Sequence, residues 1–182
     1  MQLGFYFDQN RCTGCYTCVL ACKNWHNLPP KTVEWIKVIT TEQGKYPNPV
    51  VAHLISLCYH CDKPTCLTVC PVGAISKREE NGLVVVDREK CLGRNSCVQC
   101  LKACPYQAPQ FGDEKNAKMQ KCDLCADRWK EGKKPVCVGS CPTRALDAGS
   151  MDKLTKHGES REAAGFKYLN KLSPAIVFHH KQ

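Results

Sequence analysis

The apolar positions of this chain form short runs rather than long ones. Phe5-Tyr6-Phe7 and Val84-Val85-Val86 are aromatic or β-branched triplets that suit a pleated, half-buried surface, and each predicts a short strand. Val72-Gly73-Ala74-Ile75 and Thr143-Arg144-Ala145-Leu146 each leave a Cys-Pro step, and the chain should continue from both as a strand. Residues 23–57 carry Trp25, Trp35, Pro29-Pro30 and Pro47-Asn48-Pro49 and end in the strand-like Ala52-His53-Leu54-Ile55-Ser56-Leu57. This segment reads as a proline-marked excursion between two halves. From residue 150 a polar stretch of helical character leads to Ser173-Pro174-Ala175-Ile176-Val177-Phe178, read as a terminal strand or an arm laid on another subunit, with a tail closing the core as the plainer alternative. No window approaches the ~20 apolar residues of a bilayer-spanning helix. Met1-Gln2-Leu3-Gly4-Phe5-Tyr6-Phe7 has neither a basic leader region nor a cleavage site, so the expectation is a soluble chain with no membrane span and no export address of its own.

Composition changes this picture at one residue type. Cysteine fills 16 of 182 positions while aromatic content is 8%, which points to cross-links or metal, more than a large apolar core, as the source of stability. The length fits one compact unit or two small halves. The cysteines fall into four groups: Cys12, Cys15, Cys18, Cys22; Cys58, Cys61, Cys66, Cys70; Cys91, Cys97, Cys100, Cys104; and Cys122, Cys125, Cys137, Cys141. The first is C-x2-C-x2-C-x3-C, the spacing by which ferredoxins hold cubane clusters, and Cys70-Pro71, Cys104-Pro105 and Cys141-Pro142 repeat the proline that follows the last cysteine of the bacterial run. A disulfide scaffold predicts a shorter chain with a secretory signal. A zinc ribbon remains open for Cys122, Cys125, Cys137 and Cys141 taken alone. Four cubanes use sixteen thiolates, the number present.

The chain also repeats itself. Phe5 to Gly14 and Val84 to Gly93 share one frame: an apolar run, Asp8 or Asp87 four before the cysteine, Arg11 or Lys90 directly before it, and Gly14 or Gly93 two after it. The glycine permits the tight turn that points amide N–H groups at a cluster sulfur. After two of the Cys-Pro steps, Ala74-Ile75 and Ala145-Leu146 follow the proline at the same distance. The proline should stop the short helix that carries each C-x3-C step.

Residues 1 to about 150 resemble the four-cluster ferredoxin subunit of the dimethyl sulfoxide reductase family of molybdenum and tungsten enzymes. The resemblance rests on Cys12-Thr13-Gly14-Cys15-Tyr16-Thr17-Cys18-Val19-Leu20-Ala21-Cys22-Lys23, Cys58-Tyr59-His60-Cys61-Asp62-Lys63-Pro64-Thr65-Cys66, Cys104-Pro105-Tyr106-Gln107-Ala108-Pro109-Gln110 and Lys121-Cys122-Asp123-Leu124-Cys125. It implies an α+β fold of two pseudo-symmetric halves, each like a bacterial two-cluster ferredoxin, with loop excursions and a C-terminal extension. Residues 1–22 with 111–150 would form one half and residues 58–110 the other, with 23–57 connecting them and 151–182 contacting a partner. Carried over, cluster 1 is held by Cys12, Cys15, Cys18 and Cys141, and cluster 2 by Cys22, Cys122, Cys125 and Cys137. Cluster 3 takes Cys58, Cys61, Cys66 and Cys104, and cluster 4 takes Cys70, Cys91, Cys97 and Cys100. The third group departs from the pattern: Arg94-Asn95-Ser96 is inserted ahead of Cys97, which could loosen cluster 4, and an alignment placing Arg94 at the second ligand would leave three irons there or none.

Fully ligated cubanes carry electrons and bind no substrate. The cations Arg11, Lys23, Lys63, Lys90, Lys102, Lys121 and Arg144 lie beside ligands and would favour the reduced state, although any one of them alone reads as an ordinary solvated charge. The net charge of +9 is offset by about −8 from four oxidised cubanes, which removes the case for a nucleic-acid surface; Lys130-Glu131-Gly132-Lys133-Lys134 reads as a surface loop. His60 reads as local packing or as a hydrogen-bond donor to a cluster; His26, His53, His157, His179 and His180 form no ligand pair. No catalytic triad, phosphate loop or dinucleotide fingerprint is present. The sequence reads as an electron-transfer subunit, not an enzyme by itself, wired to a large molybdenum or tungsten pterin subunit, with a membrane anchor or a soluble redox partner beyond it. The alternatives are a companion of a tungsten aldehyde oxidoreductase or aromatic-ring reductase, or a free polyferredoxin. Its place is cytoplasmic by default, with folded export on a partner left open.

Overall fold

The computed structural model describes residues 1–30, 32–157 and 160–180. In chain order the elements are β1 (Leu3–Asp8), α1 (Thr17–Trp25), β2 (Ile36–Gln43), β3 (Val50–Leu57), α2 (Thr65–Thr68), β4 (Ile75–Lys77), β5 (Val84–Val86), α3 (Gln99–Ala103), α4 (Ala126–Lys130), α5 (Val136–Gly139), β6 (Leu146–Ser150), α6 (Met151–Leu154) and β7 (Ile176–His179). This is a small mixed α/β fold. Three sheets form among the described residues: β6-β1-β7, the hairpin β2-β3 and the short pair β4-β5. Strand β1 is central in the first, antiparallel to β6, with Phe5 opposite Ala148, and parallel to β7, with Phe7 opposite Phe178.

The expected strands at Phe5-Tyr6-Phe7 and Val84-Val85-Val86 form, and the chain leaves two Cys-Pro steps as β4 and β6. Helices α2, α3 and α5 all end before the cysteine of a Cys-Pro step. The residue ahead of a proline is pushed out of the helical region, and Cys104 accordingly has φ −89° and ψ 110°. Cys22 precedes Lys23 instead, and α1 runs on through it to Trp25.

Residues 23–57 build the β2-β3 hairpin, of which the sequence suggested only the second strand. Beyond residue 150 the helical expectation is met only over Met151–Leu154. Turns follow, and β7 buries Ile176, Val177 and Phe178 in the chain's own sheet, so the terminal strand rather than an arm is what forms. The main core joins Phe5, Phe7, Leu146, Ile176 and Phe178 to Leu54, Ile55 and Leu57 of β3. A second, smaller core holds Ile75, Val84, Phe111, Ala117 and Met119 beside Cys100. Helix α1 packs on α5, and α2 packs on α3. Among the described residues no helix is long and apolar enough to cross a membrane.

Candidate metal centres

The shared frame around Cys12 and Cys91 is a built turn. Asp8 Oδ1 accepts the N–H groups of Asn10 and Arg11 at 2.9 and 3.2 Å, and Asp87 Oδ1 accepts those of Glu89 and Lys90 at 3.1 and 3.4 Å. Such an aspartate turn reverses the chain from strand into ligand loop. The cation ahead of each cysteine pairs with the same carboxylate, Arg11 with Asp8 at 3.4 Å and Lys90 with Asp87 at 3.5 Å, and both cations are largely exposed. They are the solvated charges the sequence suggested. Gly14 then turns at φ +68°, where a Cβ would come within 2.6 Å of the His53 ring.

The Ala that follows each Cys-Pro step has a defined task. Ala74 N–H donates to Cys70 Sγ and Ala145 N–H to Cys141 Sγ, both at 3.3 Å. Ala108, unremarked in the sequence, does the same for Cys104. In all three the preceding residue, Gly73, Arg144 or Gln107, has positive φ, which swings the next amide back onto the sulfur. Met119 N–H to Cys91 Sγ and Leu124 N–H to Cys122 Sγ, at 3.5 and 3.4 Å, add two more such donors. Amide donors of this kind favour a thiolate over a thiol.

The sixteen cysteines are all free of disulfides, and eight of them line two cavities. Cys58, Cys61, Cys66 and Cys104 line one cavity, and Cys70, Cys91, Cys97 and Cys100 line another. Burial and then the neighbouring thiolates Cys12, Cys141 and Cys15 push Cys18 up to about 11. Burial also raises Cys137 well above the ordinary thiol range, with Cys125, Cys22 and Cys18 adding to it. Cys61 and Cys66 rise to about 12 and Cys100 to about 11, burial again being the largest cause. The exposed Cys15 moves the other way, held down first by the Thr17 hydroxyl. Crowded thiolates in a low-dielectric pocket repel one another unless a cationic iron centre binds them and displaces their protons. The donor chemistry therefore fits iron–sulfur clusters.

Neighbouring sets also lie within electrostatic reach of one another: Cys137 feels Cys18, Cys122 feels Cys58, and Cys66 feels Cys100.

Arg94-Asn95-Ser96 does not displace Cys97, which lines its cavity with Cys91 and Cys100. The insertion forms a turn in which the Ser96 and Cys97 amides reach the Gly93 carbonyl at 3.1 and 2.9 Å. The surface-loop reading also holds: residues 131–134 are exposed, with Lys134 paired to Asp147 at 2.6 Å.

Of the five histidines to which the sequence gave no role, His26 is in contact with a cysteine sulfur. His26 Nε2 lies 3.4 Å from Cys125 Sγ and 3.9 Å from the Asp123 carboxylate, with its ring 4.4 Å from that of Trp35. These ligand atoms are close enough to hold a lone metal ion. Cys125 is expected in a four-cysteine set with Cys22, Cys122 and Cys137, where His26 would serve as a hydrogen-bond partner of its sulfur. Burial lowers the His26 pKa against the pull of Asp123 and Asp127, favouring a neutral ring. Only the turn of the chain after α1 brings His26 here, and no spacing rule signals it. His60 is fully buried; its Nδ1 accepts Val84 N–H at 3.0 Å, and its Nε2 has no protein partner.

Comparison with known proteins agrees with this geometry. A family model described as a 4Fe-4S dicluster domain matches residues 50–151, and one described as a 4Fe-4S binding domain matches residues 3–24. One of the chains of the anaerobic dimethyl sulfoxide reductase of Escherichia coli (strain K12) is 45% identical, covering 97% of this chain and 87% of the relative. One of the subunits of the sulfite dehydrogenase of Allochromatium vinosum is 38% identical over 82% of this chain and 69% of its own length. The formate dehydrogenase iron-sulfur subunit of Wolinella succinogenes is 37% identical over 85% and 84%. With four cysteine sets, amide donors at their sulfurs and relatives that span nearly the whole chain, this protein belongs to the 4Fe-4S family of iron–sulfur electron-transfer subunits of which that dimethyl sulfoxide reductase component is a member.

Proposed function

We propose that this chain relays electrons between a molybdenum or tungsten pterin catalytic subunit and a second redox partner. Each 4Fe-4S cluster, when bound, exchanges one electron without binding substrate. The ligand sets are Cys12, Cys15, Cys18, Cys141; Cys22, Cys122, Cys125, Cys137; Cys58, Cys61, Cys66, Cys104; and Cys70, Cys91, Cys97, Cys100. The observation that carries the reading is the packing of Cys12, Cys18, Cys22, Cys58, Cys104, Cys122, Cys137 and Cys141 about one core and of Cys66, Cys70, Cys91 and Cys100 about the other, with Cys58, Cys61, Cys66 and Cys104 bridging the two.

The pairings β1 with β6, β4 with β5, α1 with α5 and α2 with α3 support two pseudo-symmetric halves. Residues 1–22 with 111–150 form one and residues 58–110 the other, bridged by the 23–57 excursion. The chain's own residues set up the relay: they bury the inner sulfurs, donate amides to them, and leave Cys15 exposed beside Tyr16 and Leu20, where a partner can approach. Exposed turns between α6 and β7 supply partner surface within the 151–182 extension. A membrane anchor or a soluble protein takes the far end. Assembly is cytoplasmic, with folded export on a partner as an option.

The test is a count of iron, acid-labile sulfide, zinc, molybdenum and tungsten in the anaerobically purified complex. About sixteen iron and sixteen sulfide per chain, with molybdenum or tungsten on a copurifying large subunit, is expected for four cubanes. Zinc in place of iron would sink the reading. Sixteen iron in a chain that copurifies with nothing would favour a free polyferredoxin.

A further inference from the structure

Lys121 differs from the other cations near the ligands. Arg11 and Lys90 are exposed and paired with carboxylates, and Lys23 pairs with Glu34 at 3.6 Å. Lys121 is only 3% exposed. Its ammonium donates to the carbonyl oxygens of Val84 and Cys122, and among the described residues it forms no ion pair. A buried cation without a counter-charge is strongly destabilising. Neutral carbonyls share the load but do not cancel the charge. Its ammonium lines the cavity of Cys58, Cys61, Cys66 and Cys104, and Cys122 of the adjoining set follows it in the chain. Its charge also bears on the Cys66 thiolate, opposing the rise that burial causes. The neighbouring imidazole adds no anion: His60 Nδ1 accepts the Val84 amide, and Lys121 itself disfavours a second proton there.

We infer that Lys121 is the built-in counter-charge of the cluster held by Cys58, Cys61, Cys66 and Cys104, and that it raises the reduction potential of that cluster more than that of any other. Reduction adds one negative charge, and a fixed buried cation favours the more negative state through a low-dielectric gap that salt screens poorly. Lys121 is a tuning residue: it need touch no electron donor or acceptor and acts through the field it sets at one step of the relay. The inference rests on the ligand set proposed above, so the experiment tests the two separately.

The variants Lys121→Met and Lys121→Arg are compared with wild type in the assembled complex by redox titration followed by electron paramagnetic resonance, with iron counted in each. Cys66→Ser and Cys104→Ser mark which signal belongs to this cluster. Lys121→Met should lower the midpoint of that signal by at least ~59 mV, a tenfold change in a one-electron equilibrium. The midpoint of the cluster that Cys122 helps to hold should fall by less, the other two should stay in place, and Lys121→Arg should retain the wild-type value. If Lys121→Met loses about four of sixteen irons and Lys121→Arg keeps them, the counter-charge role is supported by the same logic. Full iron with no midpoint shifted, all four shifted together, or iron lost equally from both variants would overturn the inference and leave the ligand set standing. If Cys66→Ser and Cys104→Ser alter different signals, the ligand set itself fails.

Discussion

Asn116 clamps the turn that carries the inserted residues ahead of Cys97. Its Nδ2 donates to the Leu92 carbonyl at 3.0 Å, and its Oδ1 accepts the Asn95 amide at 3.2 Å. Gly93, at φ +88°, passes so close that a Cβ there would meet Asn116 Oδ1 at 2.3 Å. Both hydrogen bonds are solvent-exposed, so each belongs at the low end of the net range, and losing the two costs about 1 kcal/mol. Asn116 also holds φ +57°, where Ala is strained by about 1–2 kcal/mol and Gly is not. Asn116→Gly should therefore raise local opening of the turn about fivefold, and Asn116→Ala about thirtyfold. The assay is anaerobic release of iron to a chelator, resolved into phases, with amide exchange at Asn95 as the direct report of opening. One phase of about four irons should accelerate in that order while the rest keeps the wild-type rate. Unchanged release in both variants, or acceleration shared by all the iron, would refute the clamp. A faster loss in Asn116→Gly than in Asn116→Ala would refute the backbone part of the reasoning.

His26→Leu removes the ring donor at Cys125 Sγ and should lower the midpoint of one cluster, read by redox titration; unaltered midpoints would show that the 3.4 Å contact carries no hydrogen bond to a ligand sulfur. Phe178 is fully buried, and Phe178→Ala should cost about 3–5 kcal/mol; a holoprotein unfolding transition displaced by less than about 1 kcal/mol, inside the range of ordinary surface changes, would show that β7 is not a core strand. Lys77, first by hydrogen bond and then by charge, holds Asp62 below the usual carboxylate range across a 2.6 Å contact. A depressed carboxylate pKa adds stability that is present above the unfolded-state value and is lost as pH falls through the folded one. Because Asp62 is 60% exposed, Asp62→Asn should destabilise by under about 1 kcal/mol at neutral pH and by nothing once both carboxyl states are protonated. A difference that grows on acidification would contradict this.

What the sequence made legible is what local spacing controls. The Cys-Pro steps stop helices because proline acts on its immediate neighbour, and Asp8 and Asp87 cap their turns across two or three residues. Four groups of four cysteines follow from spacing, whereas their exchange of last ligands comes from the family resemblance. The β2-β3 hairpin was half visible, since β2, with Lys37, Thr40, Thr41, Glu42 and Gln43, has little apolar pattern and is held by its partner strand. The polar stretch after residue 150 suggested more helix than the described residues form: Met151–Leu154 is helical, and residues 160–175 run through turns and isolated bridges before β7 pairs with β1. His26 was out of reach for a different reason, and Lys121 was legible only as one cation among seven beside ligands. What sets them apart is what a distant segment places beside them: Cys125 for one, and for the other a cavity walled by residues 58 to 109 and by Leu172.

The central position of β1 has a consequence for biosynthesis. Both of its partners come late, β6 at Leu146–Ser150 and β7 at Ile176–His179. An emerging chain therefore carries the Cys12, Cys15 and Cys18 loop for most of translation with the edges of β1 unpaired, whereas β4, β5, α2 and α3 have found one another before β6 exists. Long-range pairing is slow because the loop must close before any contact rewards it. The middle of the sequence is thus ready to accept metal first, and the segment made earliest is the last to be finished.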